Sequence, residues 1–287
     1  MKKCIYWFIW LAMLSPFAVI AAEQSIPETT EVNSWHLGVS LGYGEMISPL
    51  TDGDDIALYV MPDIRYFGEY FYLENTTLGY SLKETPNYSI DLVGLLNQDG
   101  LYFPNDQRDL IAAASPPLQI TIAPFPIEEE EVEQPDIAIY PKKKSLSYMA
   151  GVAWRYRGEM DINVVLASDI TAGHHGKELH ANIKKQFNIG RLEFESKVGM
   201  SYKDAALVNY YYGVSEDELP FGFEYLDYRP GAAINWHVQL QLGYPISDHF
   251  WLVSSYRYDN NDSEIANSPI VAKDDFQSYF FGFKWVL

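Results

Sequence analysis

The stretch "INWHVQLQLGYPI", residues 234–246, alternates without a break. Ile234, Trp236, Val238, Leu240, Leu242, Tyr244 and Ile246 fall on one side, and Asn235, His237, Gln239, Gln241 and Gly243 on the other. Successive side chains of a strand point to opposite faces. The run therefore has one continuous apolar face and one face of polar or small residues. It is also long: strands of globular domains usually have about 5–6 residues, whereas a strand crossing a bilayer needs about 9–11.

The pattern recurs. "WHLGVSLGYGE" sets Trp35, Leu37, Val39, Leu41 and Tyr43 against His36, Gly38, Ser40, Gly42 and Gly44. "RLEFESKVGMSYK" sets Leu192, Phe194, Val198, Met200 and Tyr202 against Glu193, Glu195, Lys197 and Ser201. "YMAGVAWRYR" sets Tyr148, Val152, Trp154 and Tyr156 against Arg155 and Arg157. The chain ends on "QSYFFGFKWVL", with Tyr279, Phe281, Phe283, Trp285 and Leu287 in one row. Aromatics cluster near the ends of the apolar rows, where a bilayer meets water. A soluble sandwich would pack such faces on one another, so the connections must discriminate.

Strands are expected at about 34–45, 55–66, 70–82, 87–97, 101–104, 145–157, 160–170, 178–188, 191–203, 231–245, 249–259 and 276–287, with ends good to about 2–4 residues. Connections after even-numbered strands are then short, around "FGEY", "NQDG", "RGEM", "NIG" and "ISD". All the long ones follow odd-numbered strands, including loops at 105–144 and 204–230. A barrel with long outer loops and short periplasmic turns has this parity, and a sandwich has no reason to. The expectation is an all-β fold: an antiparallel transmembrane β-barrel of twelve strands over 34–287. Ten strands remain open, because "LYFP" is a poor strand. The dominant period of two leaves little room for helices.

The 287 residues carry Asp+Glu 39 against Lys+Arg 20, a net charge of -19. That balance excludes a nucleic-acid partner, which needs a basic face. Aromatic residues make up 15% of the chain. "MKK", the apolar "CIYWFIWLAMLSPFAVI" and "AA" before Glu23 follow the order of a secretory signal, with cleavage expected after Ala22. Residues 23–33 then form a short periplasmic segment. The single cysteine, Cys4, goes with the signal.

Candidate chemistry is sparse. "IEEEEVEQPD", within the tract 128–136 and its neighbours, lacks the spaced ligands of a calcium loop and reads as a solvated outer loop. "SDITAGHHGKELH" gathers Asp169, His174, His175, Glu178 and His180, but adjacent histidines on a strand face opposite ways and no serine nucleophile can be matched to a base. The sequence therefore points to no catalytic residue, no metal ligand and no cofactor. The inward charges Arg155, Arg157, Lys184, Glu193, Glu195 and Lys197 form mixed-sign rows, readable as lumen ion pairs or as a selective pore. Tyr210, Tyr211, Tyr212, Gly213 and Val214, followed by "SEDE", read either as an aromatic plug or as a docking surface.

At these residues the chain resembles the MipA/OmpV family of Gram-negative outer-membrane proteins. The carriers are "YYYGVSEDE" (210–218), "YRPGAA" (228–233) and "NSPIV" (267–271), with Ser268 and Pro269 inside the last. "WHLGVSLGYGE", "YVMPDIRY" and "FYLEN" fit as well, and only about 105–144 departs, as an insertion. The resemblance implies an outer-membrane barrel, and a monomer in contact with lipid and lipopolysaccharide is expected. It further implies a non-enzymatic scaffold for a murein transglycosylase and a murein synthase, the alternatives being a porin-like channel or a surface adhesin or antigen. The end of the chain is similar to the C-terminal signal read by the barrel-assembly machinery, carried here by Phe283, Trp285 and Leu287, with Leu where Phe is usual. Replacing Leu287 with Asp is expected to lower the fraction of barrel recovered in the outer membrane, measured by membrane fractionation; unchanged recovery would remove this assignment.

Overall fold

The computed structural model describes residues 32–51, 53–103, 144–219 and 223–287. The expected signal segment with Ala22, most of 23–33, nearly all of the expected 105–144 loop and the acidic 128–136 tract lie outside the described residues.

Twelve antiparallel strands close into a barrel, each hydrogen-bonded to its sequence neighbours and the last to the first. They are β1 (Ser34–Met46), β2 (Ile56–Phe67), β3 (Phe71–Glu74), β4 (Thr77–Glu84), β5 (Tyr88–Leu96), β6 (Tyr148–Tyr156), β7 (Asp161–Asp169), β8 (Lys177–Ile189), β9 (Leu192–Lys203), β10 (Ala233–Pro245), β11 (Phe250–Asn260) and β12 (Asp275–Val286). The apolar rows face outward and stay uncovered by protein. Leu41, Leu166, Val198, Ile234 and Phe281 are all more than half exposed. Aromatic contacts gather toward the two ends of the wall. Trp35–Tyr66 at 4.9 Å and Phe250–Phe283 at 5.4 Å lie near the short-turn rim. Tyr43–Tyr59 at 6.0 Å and Trp236–Tyr258 at 5.4 Å lie near the long-loop rim. This is the two-girdle surface of a barrel in a bilayer.

The expected number of strands is observed, but two of the expected elements are not. The run 70–82 is a hairpin, β3 and β4, turning at Asn75 and Thr76. Asn75 takes φ 53 and ties its side chain and backbone to Ile64 of β2. Asn tolerates this left-handed conformation, and without a glycine the turn is hard to read. Residues 101–103 of the expected strand 101–104 are not a strand; a 3-10 turn covers Asp99–Tyr102. The missed hairpin and the surplus strand cancel in the count. They also invert the segment between them: β5 runs toward the long-loop rim, so "NQDG" (97–100) sits in that mouth and is not a turn on the opposite rim. The connection between β4 and β5, expected among the long-loop connections, lies on the short-turn rim for the same reason.

Helix appears where period two hid it. α1 (Ala205–Tyr212) starts on Asp204, whose carboxylate accepts from Leu207 N at 3.0 Å. A second, single-turn helix, α2 (Ser263–Ala266), starts on Asp262 in the same way. "DAALV" is an Asp cap followed by good helix formers, a signal present in the sequence and passed over.

The barrel closes between β1 and β12, where Gly42 lies opposite Gly282. A Cβ on either would strike the partner strand's backbone and the Phe280 ring, which turns inward beside them and is 2% exposed. Gly282→Val is expected to cost about 1–3 kcal/mol or more through overpacking, read as a lower urea midpoint for the compact electrophoretic form; an unchanged midpoint would show that the seam tolerates side chains.

Candidate functional site

The long-loop mouth of the barrel is filled from within by protein. α1 brings Leu207, Val208, Tyr211 and Tyr212 inward, all at most 1% exposed, onto Phe103, Met149, Ala167, Ala233, Ile265 and Ile270. Each such side chain stabilises the packing by roughly 1.5–3 kcal/mol when fully buried. A second cluster joins Met46, Ile56, Leu58, Met61 and Phe280 of the wall to Leu101 of the 3-10 turn. Tyr102 packs against both clusters, so the apolar plug reaches across the mouth.

Buried polar groups fasten the plug to the wall. Lys203 Nζ of β9 lies 2.6 Å from Asp99 Oδ1, and the Tyr212 hydroxyl donates to that oxygen at 2.8 Å. Asp99 N donates to Asn97 Oδ1 at 3.0 Å, and Asn97 Nδ2 donates to Glu178 Oε2 at 3.2 Å. His180 Nε2 stands 3.0 Å from the other oxygen of Glu178. Burial and the nearby Asp99 carboxylate push the Tyr212 phenol far above its ordinary pKa, so it remains a donor. A buried ion pair with good geometry and extra hydrogen bonds is held firmly, but loss of one partner strands the other charge.

The residues singled out in the two sequence motifs meet here. Ser268 Oγ donates to the Tyr212 carbonyl at 2.6 Å, joining "NSPIV" to the end of α1. Val214 pairs with Tyr228, and Val271 with Leu50. Gly213 and Val214 are buried, and Pro269 is partly buried between Ser268 and Ile270. Tyr210 is the member of its triplet left partly exposed; its hydroxyl accepts from Ser145 N at 3.0 Å and its ring lies 5.5 Å from Lys144 Nζ. An open cleft on the plug's upper surface is lined by Lys144, Tyr210, Ser215, Glu218, Tyr228 and Arg229. Phe283 and Trp285 lie outward on β12, and Leu287 follows them with its N–H donated to Leu37 O at 2.8 Å.

The histidine loop holds a constellation that the sequence did not disclose. Ser147 Oγ is 2.9 Å from His174 Nε2, and Asp169 Oδ2 is 3.9 Å from His174 Nδ1. The order of groups is that of a nucleophilic triad, but the proton is in the wrong place. Gly176 N–H donates to Nδ1 at 2.9 Å, so Nδ1 carries a lone pair and Nε2 carries the hydrogen. Nε2 therefore donates to Ser147 and cannot take its proton. Asp169 is spent on the backbone N–H groups of Thr171, His174 and His175 and on the Thr171 hydroxyl. Burial lowers the His174 pKa, outweighing the attraction of Asp169. Ser147 is 1% exposed. The group is a latch that pins the 170–176 loop to the plug, with Tyr211 OH 3.3 Å from Ser147 Oγ. Glu178 and His180 belong to the separate Asn97–Asp99 network. Among the described residues, no group of three or more His, Cys, Asp or Glu side chains is arranged to hold a metal ion.

The lumen below the plug has polar walls in which charges pair. Lys284 meets Asp63 at 2.6 Å and Asp63 meets Arg65 at 2.9 Å. Arg155 lies between Glu74 at 3.7 Å and Asp91 at 3.8 Å. Lys184 is shared by Glu195 at 3.5 Å and Asp161 at 3.7 Å. Arg157 has left the lumen for the rim, where it pairs with the exposed Glu84.

A closed, internally plugged antiparallel barrel with an outward apolar belt defines the class: an outer-membrane β-barrel protein. The chain belongs to the family described as MltA-interacting protein MipA, which matches residues 37–287. It is 25% identical over 268 residues to the putative outer membrane protein YiaT of Escherichia coli K12, covering 93% of this chain and 97% of that one. It is 22% identical over 246 residues to a 24 kDa outer membrane protein of Pasteurella multocida, covering 83% of this chain and 84% of that one. Among solved structures, an outer membrane channel from Pseudomonas putida F1 aligns with TM-score 0.38 and 8% identity over 93% of this chain and all of that one, a likeness too low to argue from.

Asp99→Ala leaves Lys203 buried without its carboxylate. The loss is expected to destabilise the plug by about 3–5 kcal/mol, with proteolysis of the 204–230 loop accelerated while the barrel band stays compact. Unchanged proteolysis would mean that the ion pair does not hold the plug.

Proposed function

We propose that this protein is a non-enzymatic, monomeric scaffold of the outer membrane that serves murein-processing enzymes. The long-loop rim faces outward and the short-turn rim, with both chain ends, faces the periplasm, the usual arrangement of bacterial barrels. One observation carries the reading: the mouth is packed with apolar side chains and locked by the Asp99–Lys203 pair, an arrangement suited to a stable platform and ill suited to free diffusion. The family's description names an interaction with MltA, and the partners implied for this chain are a murein transglycosylase and a murein synthase. Their contacts fall on the periplasmic turns and on 23–33, where a partner from the murein layer arrives.

A channel requires the plug to leave. The partly exposed charged rows beneath it would then line the path, which keeps that reading second. An adhesin or antigen would instead use the outer cleft around Tyr210 and Tyr228.

The folded barrel is expected to retain a purified murein transglycosylase in a pull-down from detergent, with variants of Lys83, Arg157 and Arg191 at the short-turn rim lowering recovery. Repeated absence of binding would end the scaffold role, and steady conductance of the wild-type barrel in a planar bilayer would replace it with the channel.

A further inference from the structure

The lower lumen contains an aromatic residue that neither the plug nor the outer belt uses. Trp251 of β11 pairs in register with Lys284 and Pro245 and shares the inward row of Val253, Ser255 and Arg257. Its ring lies along the inner wall over Gly243: a Cβ at that position would stand 3.5 Å from the indole Cε3, 3.7 Å from Cζ3 and 3.9 Å from Glu193 Cβ. A glycine there leaves a flat indole beside an acidic side chain. Gln241 is the next inward residue of β10, and Glu193 is directly opposite Gly243 on β9.

Three features of this corner point to a ligand. Trp251, Glu193 and Gln241 are all partly exposed, in contrast to the buried plug above them. Among the described residues, the Trp251 N–H, the Glu193 carboxylate and the Gln241 amide make no hydrogen bond or ion pair. Lys284, the inward cation opposite Trp251, is already held by Asp63 at 2.6 Å. Elsewhere in the lower lumen Asp63, Glu74, Asp91, Asp161 and Glu195 all face a cation within 4 Å. Glu193 does not.

We propose that this corner is a saccharide subsite. An indole face attracts the polarised C–H bonds of a pyranose through its negative quadrupole. A free carboxylate accepts two hydroxyl donors, an amide side chain both donates and accepts, and the indole N–H donates to a ring or hydroxyl oxygen. An unpaired carboxylate repels phosphates and acidic ligands, which leaves neutral and N-acetylated sugars as the class. The subsite rests on the orientation given above, with the cup open to the periplasm, and not on the identity of any protein partner.

The test uses the full barrel in detergent, with chitotriose and maltotriose as probes, followed by saturation-transfer NMR and titration. Binding of either sugar is expected, weakened about tenfold in Trp251→Ala, weakened less in Trp251→Phe and several-fold in Glu193→Gln. The outward Trp154→Ala should bind as wild type. Each variant is first checked for the compact electrophoretic form, and Glu193→Gln serves if Trp251→Ala does not fold. No binding of either sugar, or affinity unchanged in the folded Trp251 and Glu193 variants, overturns the subsite. A failed pull-down with murein enzymes leaves it untouched.

Discussion

A hydrocarbon layer offers nothing to replace a missing hydrogen bond, so a sheet that crosses it can have no open edge. In this chain that constraint is met at the β1–β12 seam, in register from Gly38↔Val286 to Met46↔Ser278. Two facing glycines let the strands approach while the Phe280 ring turns inward beside them. Phe280 then packs with Leu58, Met61 and Leu101, so the residue that accompanies closure also seats part of the plug. Wall and plug are therefore one piece of packing, not a tube with a separate stopper.

Once the wall is shut, the interior divides by access to water. At the upper end polar groups are buried and paired: Asp99 through Oδ1 with Lys203 and Tyr212, Glu178 with Asn97 and His180. Burial makes such pairs costly to form and costly to break. The same logic places the two sequence motifs. "YYYGV" closes α1 and "NSPIV" receives it through Ser268, so the residues that carry the family resemblance are those that attach loop to loop inside the mouth. Below the plug the buried carboxylates of Asp63 and Asp91 meet partly exposed cations, and pairs nearer the open rim, such as Lys184 with Asp161, are solvated and worth little individually.

The strands were legible because their signal is geometric. Period two survives any detail of packing, and the long strands β1, β9, β10 and β12 are found within about two residues of where alternation puts them. The hairpin at Asn75 was not legible, because the outward row shifts there from Phe71 and Leu73 to Leu78 and Tyr80, a change of phase that the four residues of β3 are too few to show, and only a left-handed asparagine marks the turn. "LYFP" looked like a strand because Leu101 and Phe103 are buried at spacing two, yet both are held by a 3-10 turn against different clusters. The plug was half legible. Its tyrosines stood out, but an eight-residue helix spans too few turns to show a period beside a dozen strands. Its partners, Asp99 and Lys203, are 104 positions apart and share nothing a single sequence reveals.

Ser147, His174 and Asp169 show why proximity alone does not define a site. The distances invite a hydrolase, and the single hydrogen bond from Gly176 to Nδ1 decides against it by fixing which nitrogen holds the proton. Burial acts in the same direction, favouring the neutral imidazole and sealing the hydroxyl from any substrate. A group fully satisfied by its neighbours is structural; one with donors and acceptors to spare and water beside it is where a ligand can be recognised. By that criterion the upper lumen is spent on holding itself together. What remains for recognition is the outer surface of the plug around Tyr210 and the lower cup around Trp251 and Glu193.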